Sequence, residues 1–264
     1  PTEEEVAEAE KRIQYRKENL HFAVAGTTGT GKSSLINAFR RLRDYDVKKG
    51  AARTGTSETT KGIGRYPDPD PELPRRRFIW YDLPGAGSQD IDDWEYFKKQ
   101  QLFVFDLVIV VISGRFRKCD AILLQHCTRL DVPTFLVRSK SDQEIAAIHK
   151  QMEQEDNPDS SDDEDSDDDS PVTIHSEPPK NYYREARKKY ISEARQNSRE
   201  ELAKAGIPDQ HLYLVTNEGI HLVSKYLGKK DISSLRKATK ATYERLIDEE
   251  ALVRDLLHAA YKRR

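Results

Sequence analysis

The chain has 264 residues, of which 36% are hydrophobic and 34% charged, enough for a core but more polar than an ordinary globular chain. Residues 153–170 hold 11 acidic and no basic side chains, whereas the rest carries 44 basic and 35 acidic ones, a net charge of +9. Two cysteines exclude a disulfide scaffold and an all-cysteine zinc site, and favour a reducing, cytoplasmic location. The longest apolar run, residues 102–113, is too short to span a bilayer.

The predicted elements begin with a helix over residues 1–20, which starts at a capping box formed by Thr2 and Glu5. After it, apolar runs typical of strands alternate with helical stretches. The predicted strands are 21–26, 77–83, 106–113, 133–139 and 211–216. The predicted helices between them lie near 32–42, 93–101, 120–130 and 181–205. Strands that are apolar throughout predict a parallel sheet covered by helices on both faces, an α/β fold.

Two further segments complete the chain. Residues 153–180 are strongly acidic and almost without apolar side chains, so we expect a disordered insert between the fourth predicted strand and its following helix. Residues 232–263 predict a last helical region with one apolar stripe. The basic helix 184–199 has interleaved glutamates, which favours a solvated, salt-bridged face over a nucleic-acid interface.

The strongest motif lies directly after the first predicted strand. Residues 26–33 read GTTGTGKS, a complete G-x-x-x-x-G-K-[ST] sequence. Its glycines allow backbone N–H groups to surround a phosphate, Lys32 adds a positive charge and the Ser33 hydroxyl can bind Mg²⁺. The alternative is a glycine-rich turn before a helix, but the strand–loop–helix context favours a nucleotide site. The predicted phosphate-binding residues are Gly26, Gly29, Thr30, Gly31, Lys32 and Ser33.

Residues 82–85 read DLPG and end the strand that contains Trp80 and Tyr81. At this distance after a phosphate-binding loop, Asp82 is a candidate Mg²⁺ ligand and the Gly85 N–H a candidate contact to the terminal phosphate. Taken alone, the same four residues form an ordinary turn.

Residues 139–142 read SKSD at the end of the fourth predicted strand. Asp142 can accept hydrogen bonds from N1–H and the exocyclic amine of guanine, and adenine offers neither donor there. Lys140 would lay its methylene stem along the base. Thr216 and Asn217 fit a last loop that contacts guanine, although a charged strand end explains the same residues without a ligand.

The loop 53–60 supplies threonines that could close over Mg²⁺ and the terminal phosphate. Spacing alone leaves four of them open: Thr54, Thr56, Thr59 and Thr60. A polar surface loop is the structural alternative for each.

Together these segments resemble the immunity-related GTPases. The resemblance covers most of residues 1–228 and rests on six segments that occur in order: 26–34, 54–60, 82–88 (DLPGAGS), 113–120 (SGRFRKCD), 135–142 (FLVRSKSD) and 216–217. It implies a P-loop, Ras-like G domain over residues 21–228, with a flanking helix over 1–20 and a shortened helical segment over 229–264. Lys32 places the chain with the lysine-containing members of the family.

The resemblance also implies site residues and partners. It favours Thr60 as the Mg²⁺-side threonine and brings Ser34, Thr54 and Asn217 near the nucleotide. With Glu58 added by the resemblance, the catalytic candidates are Lys32, Thr60, Gly85 and Glu58. It further implies GTP and GDP as ligands, Mg²⁺ as cofactor, homodimers or larger homo-oligomers in the GTP state, and peripheral contact with intracellular membranes.

The sequence therefore predicts a GTPase that hydrolyses GTP to GDP and phosphate. Ala86 follows the DLPG glycine where Ras-like enzymes carry a water-orienting Gln, so we expect an isolated monomer to be slow. The alternative is a GTP-dependent binding switch or scaffold with negligible hydrolysis, and a lesser one is an ATPase.

Overall fold

A six-stranded sheet organises the chain in the computed structural model, which describes residues 1–55, 62–85, 100–114, 116–156, 182–226 and 245–262. The strand order is β2-β3-β1-β4-β5-β6, with β2 antiparallel to β3 and all other neighbours parallel. The strands are β1 (Leu20–Ala25), β2 (Gly64–Pro67), β3 (Phe78–Asp82), β4 (Leu107–Ile112), β5 (Thr134–Arg138) and β6 (Leu212–Leu214).

Helices connect these strands and cover both faces of the sheet. They are α1 (Glu3–Ile13), α2 (Lys32–Phe39), α3 (Lys118–Arg129), α4 (Ser141–Asp156), α5 (Tyr182–Lys204), α6 (Asn217–Tyr226) and α7 (Glu249–Lys262). Short 3₁₀ turns lie at Val47–Lys49, Arg75–Arg77 and Leu102–Val104.

Alternating side chains of β1 divide the core into two clusters. Ala23 and Ala25 face a cluster that holds buried residues of α1, α3, α4 and α5. Phe22 and Val24 face the opposite cluster, built from α2, α6 and α7. The predicted α/β sheet with helices on both faces is therefore confirmed, and so is the P-loop G-domain class of the fold.

All five predicted strands are present within one or two residues of the expected bounds. The sequence missed β2, because four residues that are half-exposed and end in a proline give no apolar run. No helix within the described ranges is long and apolar enough to cross a membrane.

Several predicted helix bounds are wrong. The first helix ends at Ile13, because Gln14 adopts a left-handed conformation (φ 56°), and Leu20 belongs to β1. The predicted helix 32–42 ends at Phe39. The structure adds α4 directly after β5, so residues 153–156 are helical and the acidic insert does not follow the strand directly.

Helix α6 was also missed in the sequence. The last helical region is observed as α7, from Glu249 to Lys262. Most of the predicted helix 93–101, residues 157–180 of the expected insert, residue 181 and residues 227–244 lie outside the described residues.

Candidate nucleotide-binding site

The phosphate-binding loop joins β1 to α2 at the carboxyl edge of the sheet. Gly26 has φ +141°, and a Cβ atom there would lie 2.2 Å from the Val111 carbonyl oxygen on β4. Gly29 and Gly31 have φ values of +81° and +87°, and Gly31 is the N-cap of α2. The local glycine pattern thus creates a turn that other residues could adopt only with strain, and it directs the positive end of α2 toward the loop.

Two side chains of this loop bond to one of its own carbonyl groups. Lys32 is 8% exposed, and its Nζ donates to the Thr27 carbonyl oxygen at 3.0 Å. The Thr30 hydroxyl donates to the same oxygen at 2.9 Å. The loop is therefore held in shape from within, with a buried positive charge at the first turn of α2.

Ser33 and Asp82 meet where β1 and β3 end side by side. The Ser33 hydroxyl donates to Asp82 Oδ2 at 2.5 Å, and Asp82 is 1% exposed. Gly85 follows on the same segment, and a Cβ atom there would lie 2.0 Å from Thr28 Oγ1. The segment that carries Asp82 and Gly85 is thus packed directly on the phosphate-binding loop.

This pair fits the chemistry of a nucleotide-bound Mg²⁺ ion. A hydroxyl and a carboxylate are hard oxygen donors, and Mg²⁺ at such sites uses one or two carboxylates with substrate phosphates. The described part of the chain holds no group of three or more His, Cys, Asp or Glu side chains arranged for a metal. With a nucleotide bound, phosphate oxygens would complete the coordination of a metal held by Ser33 and Asp82.

The predicted base-reading segment also contacts the phosphate-binding loop. Ser139 is 1% exposed, and its hydroxyl donates to the Thr30 carbonyl oxygen at 2.6 Å. Lys140 has φ +60°, and its Nζ donates to the Gly29 carbonyl oxygen at 2.9 Å. Asp142 is exposed in the first turn of α4, where a ligand can reach its carboxylate. Ser139, which was not among the predicted binding residues, connects the two segments.

The predicted last loop lies beside this segment, because the Ser141 N–H donates to the Val215 carbonyl oxygen at 3.3 Å. The Thr216 hydroxyl accepts from the Gly219 N–H at 2.9 Å and donates to Glu249 Oε1 at 3.1 Å. Its hydroxyl is therefore used in capping α6. The neighbouring Asn217 Oδ1 is buried and has no hydrogen-bond partner among the described residues, which leaves it able to accept from a ligand.

The remaining predicted residues are Ser34 and the candidates of loop 53–60. The Ser34 hydroxyl donates to Asp44 Oδ2 at 2.7 Å, so the structure assigns it a contact within the protein. Thr54 is exposed. The other candidates, Thr56, Glu58, Thr59 and Thr60, lie outside the described residues, and their roles stay predictions.

Two residues that sequence reasoning missed support the loops. Asn37 is fully buried in α2, and its side chain bonds both the N–H and the carbonyl of Ala52, at 2.7 and 2.9 Å. A polar residue within the apolar sequence LINAF was the available signal. Glu249 is fully buried and contacts Thr216. Burial raises the pKa of its carboxyl, although hydrogen bonds from Thr216 and Ile247 act to lower it. No local sequence signal distinguishes it.

Comparison with known proteins agrees with this geometry. The family model described as interferon-inducible GTPase matches residues 3–160. Interferon-inducible GTPase 5 of Rattus norvegicus is 30% identical over 199 residues, which is 75% of this chain and 35% of the rat protein.

Two mouse proteins match a shorter segment. Interferon-inducible GTPase 1 of Mus musculus is 34% identical and T-cell-specific guanine nucleotide triphosphate-binding protein 2 is 37% identical, each over 126 residues. That segment is 48% of this chain and 29% of each mouse protein, so the match spans about a third of these relatives' length or less.

Among solved structures, the dimerization-deficient mutant of Toc33 from Arabidopsis thaliana aligns with 81% of this chain and 78% of its own, at 13% identity and a TM-score of 0.44. The family model spans more than half of the chain and includes the phosphate-binding loop, the Asp82 segment and the Ser139 segment. The chain belongs to the interferon-inducible GTPase family.

Proposed function

We propose that this chain binds GTP with Mg²⁺ and hydrolyses it to GDP and phosphate. One observation carries the proposal: the 2.5 Å pair of Ser33 and Asp82 lies at the start of α2, beside a phosphate-binding loop that bonds to Ser139 and Lys140. The proposed metal ligands, the proposed phosphate-binding loop and the proposed base-reading segment therefore lie close together at one edge of the sheet. That combination is what a nucleoside triphosphate requires.

The chain's own groups divide the work of binding. The backbone N–H groups of residues 26–33 and the ammonium of Lys32 bind the phosphates. The N–H groups carry partial positive charges and the buried ammonium carries a full one, so both attract phosphate oxygens. Ser33 and Asp82 would hold Mg²⁺, which supplies charge neutralisation at the terminal phosphates. The Gly85 N–H would donate to the terminal phosphate.

Guanine selectivity is assigned to Asp142. Its carboxylate accepts from the two adjacent donors of guanine, N1–H and the N2 amine, whereas adenine presents an acceptor at N1. We expect the chain to prefer GTP to ATP and Asp142→Asn to lose that preference. Xanthosine triphosphate, which carries an oxygen in place of the N2 amine, should bind the variant better than the parent. Equal affinity of the parent for GTP and ATP would refute the guanine assignment.

Hydrolysis needs a group that orients the attacking water, and Ala86 supplies none. Glu58, in the loop expected to cover the terminal phosphate, is the proposed contributor. A homodimer across the nucleotide face would exclude water and fix this loop. We therefore propose that self-association in the GTP state stimulates hydrolysis.

Single-turnover hydrolysis across a protein concentration series tests this step. Specific activity should rise with concentration, and Glu58→Ala should lower the rate far more than GTP affinity, whereas the exposed Glu72→Ala should change neither. A rate independent of concentration would contradict the dimer.

The absence of a water-orienting side chain after Gly85 favours one alternative, a GTP-dependent binding switch with negligible hydrolysis. This alternative predicts tight GTP binding, GTP-dependent assembly and no turnover at any concentration.

Peripheral contact of the GTP form with anionic membranes is a separate proposal, tested by co-sedimentation with phosphatidylserine vesicles. Equal sedimentation of GTP and GDP forms would contradict it.

A further inference from the structure

The start of α7 is attached to the edge strand of the sheet. The Asp248 N–H donates to the Leu214 carbonyl oxygen at 3.2 Å, and the Leu214 N–H donates to Asp248 Oδ2 at 2.9 Å. Arg195 of α5 contacts both carboxylate oxygens of Asp248, at 2.9 and 3.0 Å. These bonds fix the start of α7 at the end of β6, two residues before Thr216 in the loop predicted to contact guanine.

Glu249 extends this attachment into the loop itself. Its Oε1 accepts from the Thr216 N–H at 2.9 Å and from the Thr216 hydroxyl at 3.1 Å. Its Oε2 accepts from the Ile247 N–H at 2.6 Å. Gly219 makes room for the carboxylate, since a Cβ atom at that position would lie 2.5 Å from Glu249 Oε1. The side chain is fully buried, so these donors satisfy it without solvent.

We propose that Glu249 is a positioning residue for the guanine-contacting loop, so that α7 is part of the nucleotide-binding machinery. This inference rests on the proposed GTP binding. Glu249 fixes the backbone and hydroxyl of Thr216, and the next residue, Asn217, carries the buried acceptor Oδ1. The same strand end bonds to the Ser141 N–H beside Asp142. A shift of Thr216 therefore moves both proposed contacts to the base.

The arrangement requires a carboxylate. Both oxygens of Glu249 accept from N–H or O–H donors, so a glutamine of the same size must direct its NH₂ group at one of those donors. Glu249→Gln thus disturbs the contacts with almost no change in volume. Glu250→Gln is the matched control, because it makes the same charge change at the next, exposed position of α7.

Coupling between α7 and the base is reciprocal. If Glu249 holds the loop in the form that binds guanine, then bound guanine nucleotide must in turn stabilise the attachment of α7. GDP should therefore slow hydrogen exchange at the Thr216 amide and in the first turn of α7. Tripolyphosphate, which lacks a base, should slow exchange there much less.

The experiment measures release of a fluorescent GDP analogue and the affinities for GDP and IDP, whose base lacks the N2 amine. We expect about tenfold faster release from Glu249→Gln, since a charge-assisted hydrogen bond is lost, and a GDP-to-IDP preference reduced about threefold or more. Thr216→Val should behave alike, whereas Thr216→Ser, which retains the hydroxyl, should restore the parent values. Thermal unfolding without nucleotide reports on the fold separately.

Three results overturn the inference. The first is unchanged release in Glu249→Gln and Thr216→Val. The second is a loss of affinity for GDP and for IDP by the same factor, together with a lower unfolding temperature. That result would indicate a structural role only. The third is no effect of GDP on exchange in α7. If Glu249→Gln does not fold, Thr216→Val and the exchange measurement decide. Failure of the unaltered chain to bind any guanine nucleotide would instead refute the proposed function, a result distinct from these three.

Discussion

The proposed phosphate half of the candidate site, residues 26–33 with Asp82, comes from two short segments at the ends of neighbouring strands. The proposed base half, residues 139–142 with 216–217, is held by side chains from distant helices. In the phosphate half, glycines with positive φ and the Thr27 carbonyl shape the loop locally. In the base half, Thr216 depends on Glu249, 33 residues further along the chain. Local sequence can encode the first arrangement, but only the complete fold produces the second.

The largest effect is expected from a substitution that tests whether the loop of the phosphate half requires its backbone conformation and close packing. In Gly26→Ala the new methyl group would meet the Val111 carbonyl oxygen at 2.2 Å, and the residue would keep an unfavourable φ of +141°. We expect a loss of about 3 kcal/mol in unfolding free energy, or about 10 °C in Tm. Calorimetry without nucleotide measures it.

Gly29→Ala is the matched control for that substitution. Its φ is also positive, at +81°, but nothing lies within 4 Å of the added Cβ. Its cost should be confined to the left-handed conformation, about 1 kcal/mol. Equal losses in the two variants would mean that close packing against β4 does not set the loop.

The next largest effect is expected when the positive side chain of the phosphate half is removed. Lys32→Ala should lower GDP and GTP affinity by about tenfold or more, since a charge-assisted phosphate contact contributes about 1.5–3 kcal/mol. Isothermal titration measures the affinity, with the exposed Lys48→Ala as control for net charge. Unchanged affinity in Lys32→Ala would show that the phosphates bind elsewhere.

The sequence predicted the strand–loop–helix geometry of residues 26–33 and most of the sheet, because these depend on neighbours in the chain. The spacing of Gly26, Gly31 and Lys32 specifies a loop by local geometry, and five strands are continuous apolar runs. It missed α4, whose apolar positions Ile145, Ile148 and Met152 have helical spacing but whose polar C-terminal end continues into the acidic segment.

The base half was predicted only as a list of candidate contacts. Ser139 and Thr216 form their hydrogen bonds with Thr30 and Glu249, 109 and 33 residues away. No periodicity or spacing in the sequence encodes such pairs, because they arise when β5 and β6 are placed beside the phosphate-binding loop and α7. The same reason explains why Glu249, a glutamate in an amphipathic helix, gave no signal.

A third prediction compares Glu249 with a second buried carboxylate, Asp120, which is 2% exposed in α3. Burial raises the pKa of Asp120 from 3.8 to about 6, although the hydrogen bond from the Arg117 N–H and the positive charge of Arg117 act to lower it. The folded state then binds more protons than the unfolded state between about pH 4 and 6, so stability falls as pH rises through this window. The loss can reach about 3 kcal/mol, because each pKa unit corresponds to about 1.4 kcal/mol.

Asp120→Asn should remove this pH dependence and raise stability at neutral pH. The asparagine can still accept from the Arg117 N–H, and Asp120 Oδ1 has no hydrogen-bond partner among the described residues that would be lost. Denaturant titrations at pH 4.5 and 7.5 measure the effect. A destabilised Asp120→Asn would show instead that the carboxyl group stabilises the fold at neutral pH in a way that asparagine cannot replace.

The smallest expected effect concerns the bond that joins the two halves, from the Ser139 hydroxyl to the Thr30 carbonyl oxygen at 2.6 Å. The phosphate half keeps its shape through its own contacts to Thr27, so Ser139→Ala should affect mainly the base half. We expect GDP affinity to fall about fivefold, because one hydrogen bond contributes about 1 kcal/mol net. Affinity for tripolyphosphate should change less than about twofold, and Ser139→Thr, which retains a hydroxyl, should restore GDP binding. Equal loss of both ligands in Ser139→Ala would show instead that Ser139 shapes the phosphate-binding loop, and the two halves would then be one structural unit.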